Sequence, residues 1–215
     1  MEQLISNCRY IGNGLVFTIQ LTAGGIAIGL TLGILLSILR QYRIALPLVK
    51  SWVSVIRGTP LILQLSIIYF SAPGLIGVKL DLLSAGIVAF GLNSSAYTAE
   101  ILRAGVESLP RGQFEAAKVL GISSFYMWKD IILPQVVMNI FPSLVNEVIA
   151  LLKETTLISI IGGMDLTRRS QIIAAEQFEY FTPLCIAGVY YYCLVLFIEF
   201  IGRKIEQSIG YAKNR

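Results

Sequence analysis

Along this chain, charged residues gather in short clusters separated by long apolar intervals. None occurs between Arg9 and Arg40, Arg57 and Lys79, Asp81 and Glu100, Asp130 and Glu147, or Glu179 and Glu199. Each interval approaches or exceeds the roughly 17 to 25 residues that cross a bilayer as helix. The pattern predicts an all-α membrane protein of five transmembrane helices in a single domain, residues 1–215. Helix one is expected from about Asn13 to Leu39, with Gly25, Gly29 and Gly33 at four-residue spacing as a close-packing face. A connector follows, Gln41 to Lys50 with Pro47. Helix two is expected to start near Arg57-Gly58-Thr59-Pro60, where proline costs no hydrogen bond and Arg57 snorkels to the headgroups. It should end at the turn Ala72-Pro73-Gly74. Helix three covers about Leu82 to Leu102. The fourth apolar stretch, Pro134 to Gly163, is interrupted by Pro142, Glu147 and Lys153-Glu154-Thr155-Thr156. A polar amphipathic connection, Met164 to Tyr180, leads to helix five, about Phe181 to Ile201, where Tyr190, Tyr191 and Tyr192 read as interface or packing aromatics.

Composition agrees with this reading. The 215 residues are 55% hydrophobic and 14% charged, more apolar surface than one soluble core would bury. The first apolar run exceeds the h-region of a signal peptide, about 7 to 15 residues, and Glu2 precedes it, so it is expected to stay as an anchor. Basic residues near helix ends are retained on the cytoplasmic side. With the amino terminus outside, twelve of the 17 Lys and Arg residues fall on inner segments and five do not, which predicts a cytoplasmic carboxyl terminus. The net charge of +4 is thus a topology signal, and the chain lacks the basic face that nucleic acid requires.

Candidate chemistry narrows further. Histidine is absent, removing Ser-His and Cys-His pairs and the commonest metal ligand, so no catalytic or metal site is expected. Cys8, Cys185 and Cys193 are widely spaced and imply no disulfide framework. No G-x-x-x-x-G-K-[ST] occurs, so the chain has no phosphate-cradling loop of its own. Polar groups do recur within the membrane intervals. Asn93, Tyr97 and Glu100 share one face of helix three, with Arg103 a turn beyond as an alternative partner for Glu100. Glu147 and Glu154, seven apart, share a face of the fourth stretch, while Lys153 points about 100° away. An acidic residue at mid-membrane costs roughly 2.5 to 3.5 kcal/mol, so it needs a partner or a task.

Residues 109–134 form a compact amphipathic element between the third and fourth apolar stretches. Pro110 suits a helix start, Gly121 a left-handed cap, and Ser123 or Ser124 a second N-cap, predicting two short helices hinged at Gly121. Phe114, Ala117, Leu120 and Gly121 are expected along one side, with Arg111, Glu115 and Lys118 supplying charge. Such a unit suits a hydrophobic groove of a partner.

The segment Glu115-Ala116-Ala117-Lys118-Val119-Leu120-Gly121, with Ile131-Ile132-Leu133-Pro134 after it, resembles the E-A-A-x-x-x-G signature of permeases in ATP-binding-cassette importers. Arg57-Gly58-Thr59-Pro60-Leu61, Ala96 to Ile101, Gly112 to Ala117, Leu133-Pro134-Gln135, Asn146-Glu147 and Lys153 to Leu157 occur in the order found in permease subunits of bacterial polar amino-acid importers of the histidine, glutamine and arginine type. Many relatives read Lys-Asp-Thr-Ser where this chain has Lys153-Glu154-Thr155-Thr156.

The resemblance implies a type I importer permease in the bacterial cytoplasmic membrane, without catalysis of its own. Its implied partners are a second permease, identical or homologous, two ATPase subunits carrying ATP and Mg, and an extracytoplasmic binding protein; no cofactor is bound by this chain. Glu115, Ala116, Ala117, Leu120 and Gly121 would couple to the ATPase. The acid-rich set Asn93, Tyr97, Glu100, Glu147 and Glu154, with Lys153, Thr155 and Thr156 for the substrate carboxylate, points to a cationic amino acid: arginine, lysine or histidine. Glutamine is the alternative substrate, and a proton-coupled carrier using the same carboxylates the alternative mechanism.

Overall fold

The apolar intervals of the sequence fold mainly as helix, and no strand forms among the described residues of the computed structural model, which are 1–71, 73–74 and 77–213, with side chains of the last helix described to residue 208. Helix α1, Glu2–Gly12, runs into α2, Leu15–Gln41, through the helical residues Asn13 and Gly14. The helix therefore begins well before Asn13. Three helices are long and apolar enough to cross a membrane, and a fourth span results if the bent pair Leu46–Gly58 and Leu61–Ser71 crosses as one. Helix α5, Leu82–Glu107, the expected third span, is less apolar and falls short of that measure because it buries Asn93, Ser94, Ser95 and Thr98.

The glycine stripe of α2 packs on α5. A Cβ on Gly29 would stand 2.6 Å from the Cβ of Ser94, and one on Gly33 2.6 Å from the Cβ of Thr98. From the opposite side, a Cβ on Gly91 would stand 2.6 Å from the Cβ of Ile28. Small residues on both helices thus bring the two backbones together, which in lipid supplies the van der Waals packing that a hydrophobic effect between helices does not.

The second span departs from expectation. The segment Gln41 to Lys50 is not a connector: Arg43 and Ala45 take left-handed conformations, at φ 57° and 49°, and helix α3 runs from Leu46 to Gly58. Pro47 lies in its first turn. Arg57 ends this helix rather than starting the next one. The chain bends by 103° at Thr59-Pro60 and resumes as α4, Leu61–Ser66, continued by a π-helical turn Ile67–Ser71. The cause is Pro60, which has no N–H to offer the carbonyl of Ile56. Gln64 supplies the missing donor, its Nε2 reaching Ile56 O at 2.9 Å, Thr59 O at 3.2 Å and Thr59 Oγ1 at 2.9 Å. An irregular backbone at membrane depth is tolerated where such partners exist. The turn expected at Ala72-Pro73-Gly74 falls on Ala72, outside the described residues.

Helix α6, Arg111–Val119, follows Pro110, and Gly121 takes the left-handed conformation at φ 68°. The second short helix is not separate. Ser124–Tyr126 (α7) passes through a π-helical turn, Met127–Ile132, directly into α8, Leu133–Glu154, and a 3-10 turn, Thr155–Ile161. The continuous run from Ser124 to Ile161 is 38 residues. The π turn lies just before Pro134, whose absent N–H relaxes the local ladder. Helix α9, Leu166–Gln177, forms the expected polar connection, capped by the Asp165 carboxylate, which accepts from Arg168 N–H at 2.8 Å. The last helix is α10, Phe181–Lys213.

At the far end of the bundle α1, α9 and α10 are locked together. Asn7 and Gln177 exchange two amide hydrogen bonds, at 3.1 and 3.0 Å. The Tyr190 hydroxyl donates to Cys8 O at 3.1 Å and the Tyr191 hydroxyl to Asp165 Oδ2 at 3.0 Å, which gives two of the three clustered tyrosines packing roles. Asp165 is fully buried, and that burial pushes its carboxyl above the ordinary range against the hydrogen bonds from Arg168, Tyr191 and Thr167.

Candidate transport path and coupling surface

The polar residues of α5 divide between two sides. Asn93 is buried, and its Nδ2 donates to Gln64 Oε1 at 3.4 Å, so the residue that repairs the α3–α4 bend also orients the asparagine. One turn on, Tyr97 carries the Arg57 guanidinium over its ring, 5.3 Å from the centroid. Glu100 then meets three arginines from three helices. Its Oε1 accepts from Arg40 of α2 at 2.7 Å, and its Oε2 accepts from Arg103 at 2.9 Å and stands 3.6 Å from Arg57 of α3. Arg103 also pairs with Glu107. Glu100 is thus held in an ion cluster that Arg57 joins.

Ser94 occupies the other side of α5. Its hydroxyl donates to Glu147 Oε1 of α8 at 2.7 Å. Glu147 and Glu154 are both half-buried and enter no ion pair among the described residues. Lys153 lies on the exposed side of α8, and Thr155 and Thr156 donate back to the carbonyls of Leu152 and Lys153, at 2.6 and 2.8 Å. Asn93, Tyr97 and Glu100 do share a face, but Glu147 and Glu154 approach from a different helix. Sequence periodicity did not single out Gln64, Ser94 or Arg40. Gln64 carried the clearest signal, as the lone amide in an apolar run.

Between α5 and α8 a cleft of about 420 Å³ opens beside Arg57, Tyr97 and Glu100 and extends to Ser108, Asn139 and Ser143. Its walls mix these polar groups with the apolar Ile101, Ala104 and Ile140, and its size suits a small amphipathic molecule.

The element at residues 109–134 is fastened to this bundle. Leu109, Ala117, Met127, Ile132, Val136 and Ile140 form one buried core, and Phe114 packs edge-on to Trp128. Gln113 and Gln135 exchange amide hydrogen bonds at 3.0 and 2.8 Å, tying α6 to α8. The expected single apolar side therefore splits. Phe114 and Ala117 face inward, Ala117 being buried, while Leu120 is 74% exposed beside Val119 at 86%, and Gly121 is exposed. Glu115 and Ala116 are also exposed.

Comparison with known proteins places this architecture. The chain is 46% identical over 202 residues to a Rickettsia conorii protein provisionally named glutamine transport system permease protein GlnP, covering 93% of each chain. It is 43% identical over 207 residues to the arginine transport system permease protein ArtQ of Bacillus subtilis, covering 95% of this chain and 94% of that one. A chain in the crystal structure of an amino acid ABC transporter with histidines superposes with a TM-score of 0.88 at 35% identity, over 96% of this chain and 97% of that one. A chain of the inward-facing MetNI methionine ABC transporter shares the fold at a TM-score of 0.71 and 22% identity, over 94% of each. The family model described as binding-protein-dependent transport system inner membrane component matches residues 25–211. By that match, and by relatives this similar along almost its whole length, the chain belongs to the inner membrane components of binding-protein-dependent transport systems.

Proposed function

We propose that this chain is the permease subunit of an ATP-driven importer that moves a cationic amino acid across the cytoplasmic membrane by alternating access. The observation that carries the reading is the pair Glu147 and Glu154, half-buried in α8 and in no ion pair among the described residues. Carboxylates at that depth are expensive unless a positive charge meets them. Glu100 does not share this role, since three arginines already occupy it. The named function of ArtQ supports arginine, and that of GlnP supports glutamine as the second reading. The amide pair Gln64 and Asn93 also favours that second reading, because it offers a neutral side chain hydrogen-bonding groups. Family membership supports coupling to a separate ATPase over a proton-driven carrier.

In this reading two permease chains enclose the path, two ATPase subunits carry ATP and Mg, and a binding protein delivers substrate. The exposed rim Glu115, Ala116, Val119, Leu120 and Gly121 docks the ATPase, and Ala117 holds α6 to the body of the permease. ATPase closure draws the α6 rim inward, and the shared core with α8 carries the movement to Glu147 and Glu154.

Uptake of labelled arginine, lysine, histidine and glutamine by proteoliposomes containing the complete complex, with ATP enclosed or withheld, tests the proposal. Strict ATP dependence with cationic preference, and loss of that preference in Glu154→Gln, are expected. Unchanged arginine uptake by Glu154→Gln would overturn the substrate assignment, and uptake driven by a pH gradient alone would overturn the coupling.

A further inference from the structure

A cationic amino acid also carries an α-carboxylate, and the α8 acids repel it. Lys153, the cation nearest to them in sequence, lies on the exposed side of α8. Arg57 differs from its two neighbours around Glu100. At 3.6 Å from Glu100 it is beyond hydrogen-bond reach, whereas Arg40 and Arg103 bond the carboxylate directly. Its side chain is the most exposed of the three, at 43%, and lines the 420 Å³ cleft. It is also held in place. The Tyr97 ring supports one face of the guanidinium, and the bonds from Gln64 to Ile56 and Thr59 brace the helix end that carries it. A guanidinium fixed by stacking, and lining a cleft that excludes part of the solvent, is suited to bidentate capture of a carboxylate.

We propose that Arg57 binds the α-carboxylate of the transported amino acid in the cleft between α5 and α8, as a site separate from the one that reads its side chain. The site would hold substrate on the way between the α8 acids and the side of the cleft lined by Ser108 and Asn139. The neighbouring Glu100 keeps Arg57 from binding too tightly, because it competes for the same guanidinium. That competition suits a point of passage, where the solute must enter and leave. The inference rests on the reading of this chain as an amino-acid permease, but it does not depend on which side chain is carried.

The test measures binding to the nucleotide-free complex of permease and ATPase in nanodiscs, without binding protein. The readout is the affinity ratio of L-arginine to L-arginine methyl ester, which keeps the side chain and α-amine and lacks the carboxylate. The wild-type complex should favour the free acid by about tenfold, and Arg57→Gln by less than about twofold. Glu100→Gln, which leaves Arg57 unopposed, should raise the ratio; this second variant decides the matter if Arg57→Gln does not assemble. An Arg57→Gln ratio equal to wild type, or a Glu100→Gln ratio that is unchanged or lower, would overturn the proposal. If the complex takes glutamine instead of arginine, the same ratio is measured with glutamine and its methyl ester. Failure of the cationic reading is then seen in the choice of side chain, and failure of this one in the choice of carboxylate.

Discussion

Ser94 donates its hydroxyl to Glu147 at 2.7 Å from a position that exists only because residue 29 has no side chain. Helix α2 presses on α5 there, so its packing also sets where the α8 carboxylate is held. Gly29→Val should push Ser94 aside, destabilise the chain by about 1 to 3 kcal/mol as an overpacked contact, and reduce transport. Ser94→Ala should leave thermal stability close to wild type while weakening discrimination between arginine and glutamine. Stability and uptake measured on both variants separate the packing effect from the effect on Glu147. Equal discrimination in Ser94→Ala would dissociate Glu147 from substrate choice.

The bend at Thr59-Pro60 depends on a side chain four residues after the proline. Gln64→Leu removes the donor to Ile56 O and Thr59 O together with the acceptor for Asn93, leaving polar groups unpaired at roughly 1 to 3 kcal/mol each where they are buried. The expected result is a drop of several degrees in the melting temperature of the purified complex and a lower maximal rate. Gln64→Glu, which loses the Nε2 donor but keeps an acceptor toward Asn93, should retain fold poorly at neutral pH.

Two positions of the element at residues 109–134, proposed to dock the ATPase, should respond in opposite ways. Leu120→Asp alters a side chain that is 74% exposed, so the chain should fold and insert normally but fail to retain ATPase on co-purification. Ala117→Asp buries a charge in the core shared with Met127, Ile132 and Val136, and should lower the yield of folded permease itself. Normal ATPase retention by Leu120→Asp would remove the exposed rim from the docking surface.

Asp165 predicts a pH dependence with a definite sign. Burial raises its carboxyl, so the folded chain binds the proton more tightly than the unfolded one. Stability from this residue is therefore complete below the ordinary carboxylate range, and declines as pH rises through that range to the raised value of the folded chain. Asp165→Asn keeps a capping oxygen for Arg168 N–H and removes the charge. Melting temperatures measured from pH 4 to 8 should show the variant gaining on wild type as pH increases. A constant difference across the series would contradict the assignment.

The sequence made the spans legible because lipid imposes a long, unmistakable apolar run, and it made the α2 seam legible because three glycines at helical spacing have one common geometric use. Pro60 was read as a start signal, correctly for Leu61. The helix before it, Leu46–Gly58, is hidden because Pro47 and Lys50 make Gln41 to Lys50 read as a connector, and Arg57 interrupts the apolar positions that follow. Glu100 was grouped with Asn93 and Tyr97 by periodicity. Periodicity reports neighbours on one helix, and the decisive partner Arg40 stands 60 positions away. Ala117 and Leu120 lie three positions apart at the end of α6, yet one is buried and the other 74% exposed, because periodicity gives the apolar stripe of a helix and not how much of it the bundle covers.

The gathering of Arg40, Arg57 and Arg103 on Glu100 also bears on how the protein is made. In a chain inserted helix by helix, Arg40 and Arg57 arrive before Glu100 has been synthesised, and each must first rest as a lone cation at the edge of the bilayer. Only when α5 enters can one carboxylate collect them. Assembly of these helices is thereby tied to a single late residue, and a chain lacking it would leave Arg40 and Arg57 unmatched while Arg103 kept Glu107.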